Sequence, residues 1–390
     1  MGTEVVVVHT ADADSEHAGQ DLAAQISAKL GSEPPDALIV FASSRYDYVA
    51  LLGALDASCG PKVMIGCSSA GEFISSAPSE GSACAIAFRS STLRFASGLG
   101  HGLREDPESA AQELVASFGG LATNDYAYRT ALVMSDALAG HADDLVEHLT
   151  LQTAGTYQFF GGGAGDDAQF QRTHVFHGTE AHADAVVALE ILSNSPVGVG
   201  VAHGWEPAGP PMRVTEADGM RLIGVNAAPA VEAFQEYAEA TGQSFDLANP
   251  LPFLLHNIIG IDTGDEYRLR VPLGVESDGS ILCAADVPVG ATVRIMSATS
   301  ESSTQAASRA VSAALAPLCG QKPAVALVFD CVATRLRTGR EFGFELEAVE
   351  DLLGDTQFAG CNTYGQIART ERQFNGFHNC TAVVCVIPES

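Results

Sequence analysis

The sequence predicts an α/β protein with mixed sheets and helices in layers, built from repeated strand–helix–strand–loop units in two pseudo-related domains. Three observations carry that prediction. Short Val- and Ile-rich runs alternate with helix-like stretches, a glycine loop recurs at a similar distance behind its strand, and 390 residues exceed the usual size of one core.

Taken in order, Val5–Val8, Ala37–Phe41, Val63–Ile65 and Ala83–Phe88 read as strands, being short and apolar. Ser15–Leu30 and Tyr46–Ala57 read as helices because their apolar residues fall three or four apart. Glu108–Phe118, Asp143–Leu151 and Val231–Thr241 are further helix candidates. Between residues 171 and 225 the runs VFHG, DAVVALEIL, PVGVGVAHGW and MRVTEADG are split by Gly and Pro, which predicts an antiparallel meander. A helix begins around Asn226 after a Gly-rich strand, so the domains are expected to be 1–225 and 226–390.

The repeat is the strongest signal. Ala37-Leu-Ile-Val-Phe, a helix and MIGCSSAGEF form one copy, and Ala326-Leu-Val-Phe-Asp, a helix and FAGCNTYGQI form another. A weaker copy joins Ala131-Leu-Val-Met-Ser, a helix and FFGGGAGDD. From the first Ala of each strand, the loop glycines Gly71, Gly165 and Gly365 stand 34, 34 and 39 residues on. Aligned on those glycines, the copies read Ala70-Gly71-Glu72, Ala164-Gly165-Asp166 and Tyr364-Gly365-Gln366.

A glycine at the centre of such a loop supplies a positive φ or lets a ligand approach the backbone. Loops leaving the C-terminal edges of strands are where open α/β sheets bind ligands. Ser68, Ser69, Glu72, Asp166, Asn362, Thr363 and Gln366 are therefore candidate ligand contacts, although the same residues also build tight turns. His378 and Asn379 crowd the start of the last apolar strand, where they either face a ligand or satisfy backbone groups. Arg335 lies beyond the strand ending Phe329-Asp330-Cys331, placed to meet a carboxylate ligand or a local Glu.

Composition excludes several classes. A formal charge of −28 with Lys nearly absent argues against nucleic acid or anionic lipid as the main partner. No run of some 18 apolar residues exists, and the N-terminus lacks a basic region and a cleavage site, so a soluble cytoplasmic protein is expected. The nine cysteines contain no CxxC pair, which argues against a disulfide framework or a Cys-rich zinc site. GCSSAG is not a nucleophile elbow, and no Walker A or HExxH motif is present. Asp166 and Asp167 would set negative charge where a dinucleotide's phosphates should rest. A hydrolase using Cys67 or Cys361 with His378 is the enzymatic alternative, but nothing in the sequence places a base beside either thiol, so no catalysis is expected.

These residues resemble the FIST family of sensory domains. The motifs are GCSSAGE (66–72), GGGAGDD (161–167), Phe329-Asp-Cys331 with Arg335, GCNTYGQ (360–366) and His378-Asn379-x-Thr381. The resemblance spans roughly residues 30–385, an N-terminal FIST region followed by a C-terminal one. Gln366 stands where the family usually has Glu, and Asn362 where an aromatic is more typical. The resemblance implies a module recognising small molecules such as amino acids and signalling through a separate partner. It also implies an alternative, a haem-carrying nitric-oxide sensor controlling a histidine kinase. For that version His203, His256 and His378 are the candidate axial ligands, with Arg268 and Arg270 for the propionates.

Overall fold

The computed structural model describes residues 2–75, 77–369 and 376–389, and the side chains of all of these but 77–79. Three units of one design follow each other. The first runs β1 (Thr3–Thr10), α1 (Ser15–Leu30), β2 (Ala37–Ser43), α2 (Tyr48–Cys59), β3 (Met64–Ser69), the hairpin β4 (Glu72–Ile74) and β5 (Ala77–Ser79), then β6 (Ala83–Ser90). Its helices start where the sequence supplies caps: Asp14 and Asp47 accept from the amides of His17 and Ala50. The second runs β7 (Arg94–His101), α3 (Pro107–Val115), β8 (Tyr128–Ser135), α4 (Ala142–Gln152), β9 (Gln158–Gly163), the hairpin β10 (Val175–His177) and β11 (Glu180–His182), then β12 (Ala185–Ser193).

The third unit opens with β13 (Gly198–Ala202) and is then interrupted by a long insertion. This comprises β14 (Glu206–Pro207), β15 (Met212–Asp218), β16 (Arg221–Val225), β17 (Ala228–Pro229), α5 (Ala230–Thr241) and α6 (Leu251–Leu254). It continues through β18 (Ile258–Asp262), β19 (Tyr267–Arg270), β20 (Pro272–Val275), β21 (Ile281–Cys283) and β22 (Thr292–Ser297), which share a sheet of their own. The unit resumes with α7 (Ser300–Leu315), β23 (Pro323–Cys331), α8 (Val332–Thr338), α9 (Phe342–Leu353), β24 (Phe358–Thr363), β25 (Gln366–Arg369), β26 (Phe377–His378) and β27 (Ala382–Pro388).

The units share one strand order: β1-β6-β2-β3, β7-β12-β8-β9 and β13-β27-β23-β24. Each sheet is then extended by a neighbour's hairpin. β10–β11 adds to β3, β25–β26 adds to β9, and β4–β5 adds to β24, so the exchange closes on itself. The meander expected at 171–225 is therefore absent. Its runs are divided among four sheets: β10 extends the first unit's sheet, β12 lies between β7 and β8, β13 pairs with β27, and β15 belongs to the insertion's sheet. The expected boundary at Asn226 falls in the turn between the paired strands β16 and β17.

Strands buried on both faces explain the continuous apolar runs. On β2, Ala37, Ile39 and Phe41 face a central core, while Leu38, Val40 and Ala42 face the layer of α1 and α2. All three sheets send residues to that core: the Phe329 ring lies 5.6 Å from Phe41 and 6.2 Å from Phe160. One register recurs in every unit, with Val40 opposite Gly66, Val133 opposite Gly161 and Val328 opposite Gly360. A Cβ on those glycines would stand 1.8, 2.1 and 1.7 Å from the facing valine oxygen. The first glycine of each motif is thus demanded by strand packing.

Candidate functional site

The three loops do come together. Asn362 O accepts from Ala70 N at 3.0 Å, Ser68 O from Gly165 N at 2.9 Å, and Gly163 O from Tyr364 N at 2.9 Å. This cycle makes Gly165 the structural counterpart of Ala70 and Tyr364, so the middle copy is one residue out of phase with the sequence match. Gly71 and Gly365 adopt positive φ of 137° and 87°, whereas Gly165 is instead packed with its would-be Cβ 2.7 Å from Ala70 N.

The polar side chains of the loops are engaged inside the fold. Glu72 Oε2 accepts from Ser82 N at 3.0 Å and Ser82 Oγ at 2.9 Å, and Ser69 donates to its other oxygen. Burial nevertheless pushes the Glu72 carboxyl up to about 7. Asp166 accepts from the amides of Phe170, Gln171 and Arg172 at 2.8, 2.7 and 2.8 Å and from the Tyr364 hydroxyl. Ser68 Oγ accepts from His174 N at 2.9 Å. In either amide orientation Gln366 bonds Thr363 Oγ1 at 2.9 Å and Thr381 at 3.3 Å, and in one it also accepts from Cys331 N at 3.2 Å. Each of these residues ties a loop to the chain that returns to its sheet.

A different cluster, at the end of β23 and β24, is not engaged in this way. Asp330 and Asn362 are register partners on the outer face of the sheet, beside Ala326 and Val328. Glu345 descends onto them from α9, on the same buried stripe as Phe342, Leu346 and Val349. All three are at least 95% buried. Among the described residues, Asp330 Oδ1, Glu345 Oε1 and Asn362 Nδ2 have no hydrogen-bond partner. Burial is the main force holding the Asp330 carboxyl well above its usual range, with the Glu345 charge adding to it; burial likewise pushes Glu345 up to about 7.

Arg335, on α8, closes one side. Its Nη1 donates to Ala70 O and its Nη2 lies 2.9 Å from the exposed carboxylate of Glu80. A Cβ on Gly71 would stand 1.9 Å from that Nη1 and 2.9 Å from Asn362 Oδ1, so the loop glycine makes room for both groups. The register positions matching Asp330–Asn362 are Ala42–Ser68 in the first unit and Ser135–Gly163 in the second. The acid is absent from both, so the fold itself does not require it. Sequence reasoning found Arg335 but missed Asp330 and Glu345. The signal was present: a carboxylate ends an otherwise apolar strand, and another sits on the apolar stripe of a helix.

Residues 36–228 match the FIST N domain and residues 230–369 the FIST C domain. The chain belongs to the FIST family. FIST domains are sensory domains of signal transduction. An uncharacterized protein of Mycobacterium tuberculosis is 25% identical over 377 residues, covering 94% of this chain and 92% of its own. Another, in Mycobacterium bovis, is 26% identical over 384 residues, covering 95% of each. Among solved structures, a cyanuric acid hydrolase from A. caulinodans is 9% identical over 99% of both chains with a TM-score of 0.34. That likeness is too slight to speak to activity.

The FIST motif cysteines Cys67 and Cys361 lie wholly inside the central core. Burial holds the Cys361 thiol well above its usual range, opposite to what a nucleophile needs. The three candidate haem ligands sit in different local settings. His203 Nδ1 accepts from Trp205 N at 3.3 Å, His378 Nε2 lies 3.0 Å from Ala368 O, and His256 is exposed after α6. Arg268 and Arg270 are both bound to Asp143 of α4 rather than presented to propionates. Asn379 is buried with Nδ2 3.2 Å from His378 O and its Oδ1 without a partner among the described residues. No described helix is long and apolar enough to cross a membrane.

Proposed function

We propose that this FIST protein is a sensor whose ligand is a small zwitterion, an amino acid or close analogue, bound under α9 at the ends of β23 and β24. The observation that supports it is the set of three buried polar atoms beside Arg335 that have no partner among the described residues. Asp330 Oδ1 and Glu345 Oε1 are acceptors for an ammonium group, which would restore the charge that burial suppresses in them. Asn362 Nδ2 and the Arg335 guanidinium are donors for a carboxylate. Arg335 exchanges its present partner readily, because Glu80 is exposed and such a pair contributes little. Thr363 supports the site from below, its Oγ1 donating to Asp330 O at 3.3 Å. In this reading the protein is cytoplasmic, and the liganded state is read by a separate signalling protein, a histidine kinase being the expected class.

Calorimetric titration with each of the twenty amino acids tests the reading. One or a few should bind, and Arg335→Ala and Asp330→Asn should each weaken binding by about 10- to 100-fold, the worth of a charge-assisted hydrogen bond. Absence of binding by all twenty, or unchanged affinity in both variants, would overturn it.

A further inference from the structure

β23 and β27 run antiparallel, with Phe329 opposite Val383 as the last paired residues. Continuing that register by two residues sets Cys331 against the turn holding Cys380 and Thr381. Thr381 is the residue directly opposite, and Cys380 is its chain neighbour, one position along the turn from Cys331. Both cysteines belong to one packed group with Trp205, Met296 and Ala333. Gln366 straddles the same junction, reaching Cys331 N and Thr381. Each of the two keeps about 3% of its surface exposed, while Cys67, Cys84, Cys361 and Cys385 keep none.

We infer that Cys331 and Cys380 form a peroxide-reactive dithiol, a modification site that closes to a disulfide at the head of α8. Cys331 is the N-cap residue of α8, where the helix's free amides favour a thiolate, and its thiol is held below the usual range, so Cys331 is the attacking sulfur. The thiolate attacks one oxygen of hydrogen peroxide. An S–O bond forms, the O–O bond breaks, and the departing hydroxide takes a proton and leaves as water. Cys380 then loses its proton and attacks the sulfenic sulfur; the S–S bond forms, the S–O bond breaks, and a second water leaves. The two thiols lose two electrons and the peroxide gains them.

The place of this bond matters because Cys331 is the residue between Asp330 and the helix that carries Arg335. The bond would fix the strand end to the turn before β27 and restrain both ligand-facing groups. That consequence rests on the proposed ligand site; the crosslink itself does not.

Peptide mapping of the full 390-residue chain after hydrogen peroxide, without reductant, tests the crosslink. Cys331–Cys380 should be the predominant disulfide and should disappear on treatment with dithiothreitol. In Cys380→Ser the first step remains, so dimedone should label Cys331 at least about tenfold faster than Cys385, a difference in thiolate character and access. Both thiols remaining free in peroxide-treated wild-type protein, or crosslinks spread over the other cysteines, would overturn the inference. The wild-type map does not depend on how any variant folds, nor on whether an amino acid binds.

Discussion

Asp143 Oδ2 lies 2.9 Å from Arg270 Nη2, a guanidinium with no exposed surface, while its other oxygen binds Arg268. One carboxylate at the start of α4 therefore fastens the insertion's β19 to the second unit. Burial lowers the Arg270 pKa to about 10, and Asp143 works against that loss. Asp143→Ala should leave a buried cation unpaired and cost about 3 kcal/mol or more in urea denaturation. Arg268→Ala should cost less, because that side chain keeps some solvent.

Gly360 faces Val328 O across 1.7 Å from its would-be Cβ, so Gly360→Ala should prevent folding or cost about 4 kcal/mol or more. Gly343 is the internal control, since a Cβ there meets nothing within 4 Å inside helix α9. Gly343→Ala should stabilise the protein by about 0.5–1 kcal/mol. Thermal melting of the two variants separates a packing demand from a general dislike of substitution.

Glu72 supplies a pH dependence whose sign follows from its raised pKa. Between the ordinary carboxyl value of 4.5 and about 7, the unfolded chain releases this proton while the folded chain keeps it. The folded state therefore loses stability as pH rises through that window and changes no further above it, a contribution on the order of 3 kcal/mol. Glu72→Gln should flatten the corresponding part of the curve of denaturation midpoint against pH. A variant curve parallel to wild type would show that Glu72 does not titrate in this range.

Asp330 and Glu345 should trade stability against binding. Both carboxyls are raised by burial, so each destabilises the unliganded fold as pH climbs above the usual carboxyl range. Asp330→Asn at pH 8 is expected to raise the melting midpoint, by about 1–2 kcal/mol in stability, while weakening the proposed ligand. A purely structural acid pair would give the opposite result, a lower midpoint.

The repeat was legible because glycine and small-residue patterns survive in the local chain. Val-Gly registers recur in all three units, and GCSSAG and GCNTYG advertise two of them. The middle copy's phase was not legible, because Gly165 mimics Gly71 in sequence while occupying the place of Ala70. The hairpin exchange was also hidden: β4 pairs with β24, nearly 300 residues away, and no local signal encodes such a partner. Both readings offered for the loop side chains started from their polarity, and Glu72, Asp166 and Gln366 are bonded within the fold to groups that the local sequence does not point to. Nor does the local sequence around Arg268 and Arg270 show that both meet Asp143 from another unit.

The circular exchange of hairpins makes this chain resemble a trimer whose subunits happen to share one backbone. Deleting any repeat would strip one remaining sheet of its edge and leave another repeat's hairpin with nothing to pair with. No third of the molecule is therefore a self-sufficient fragment, and the three should melt as one. Change in such a chain is confined to places the ring does not touch, and the insertion after β13 occupies one of them.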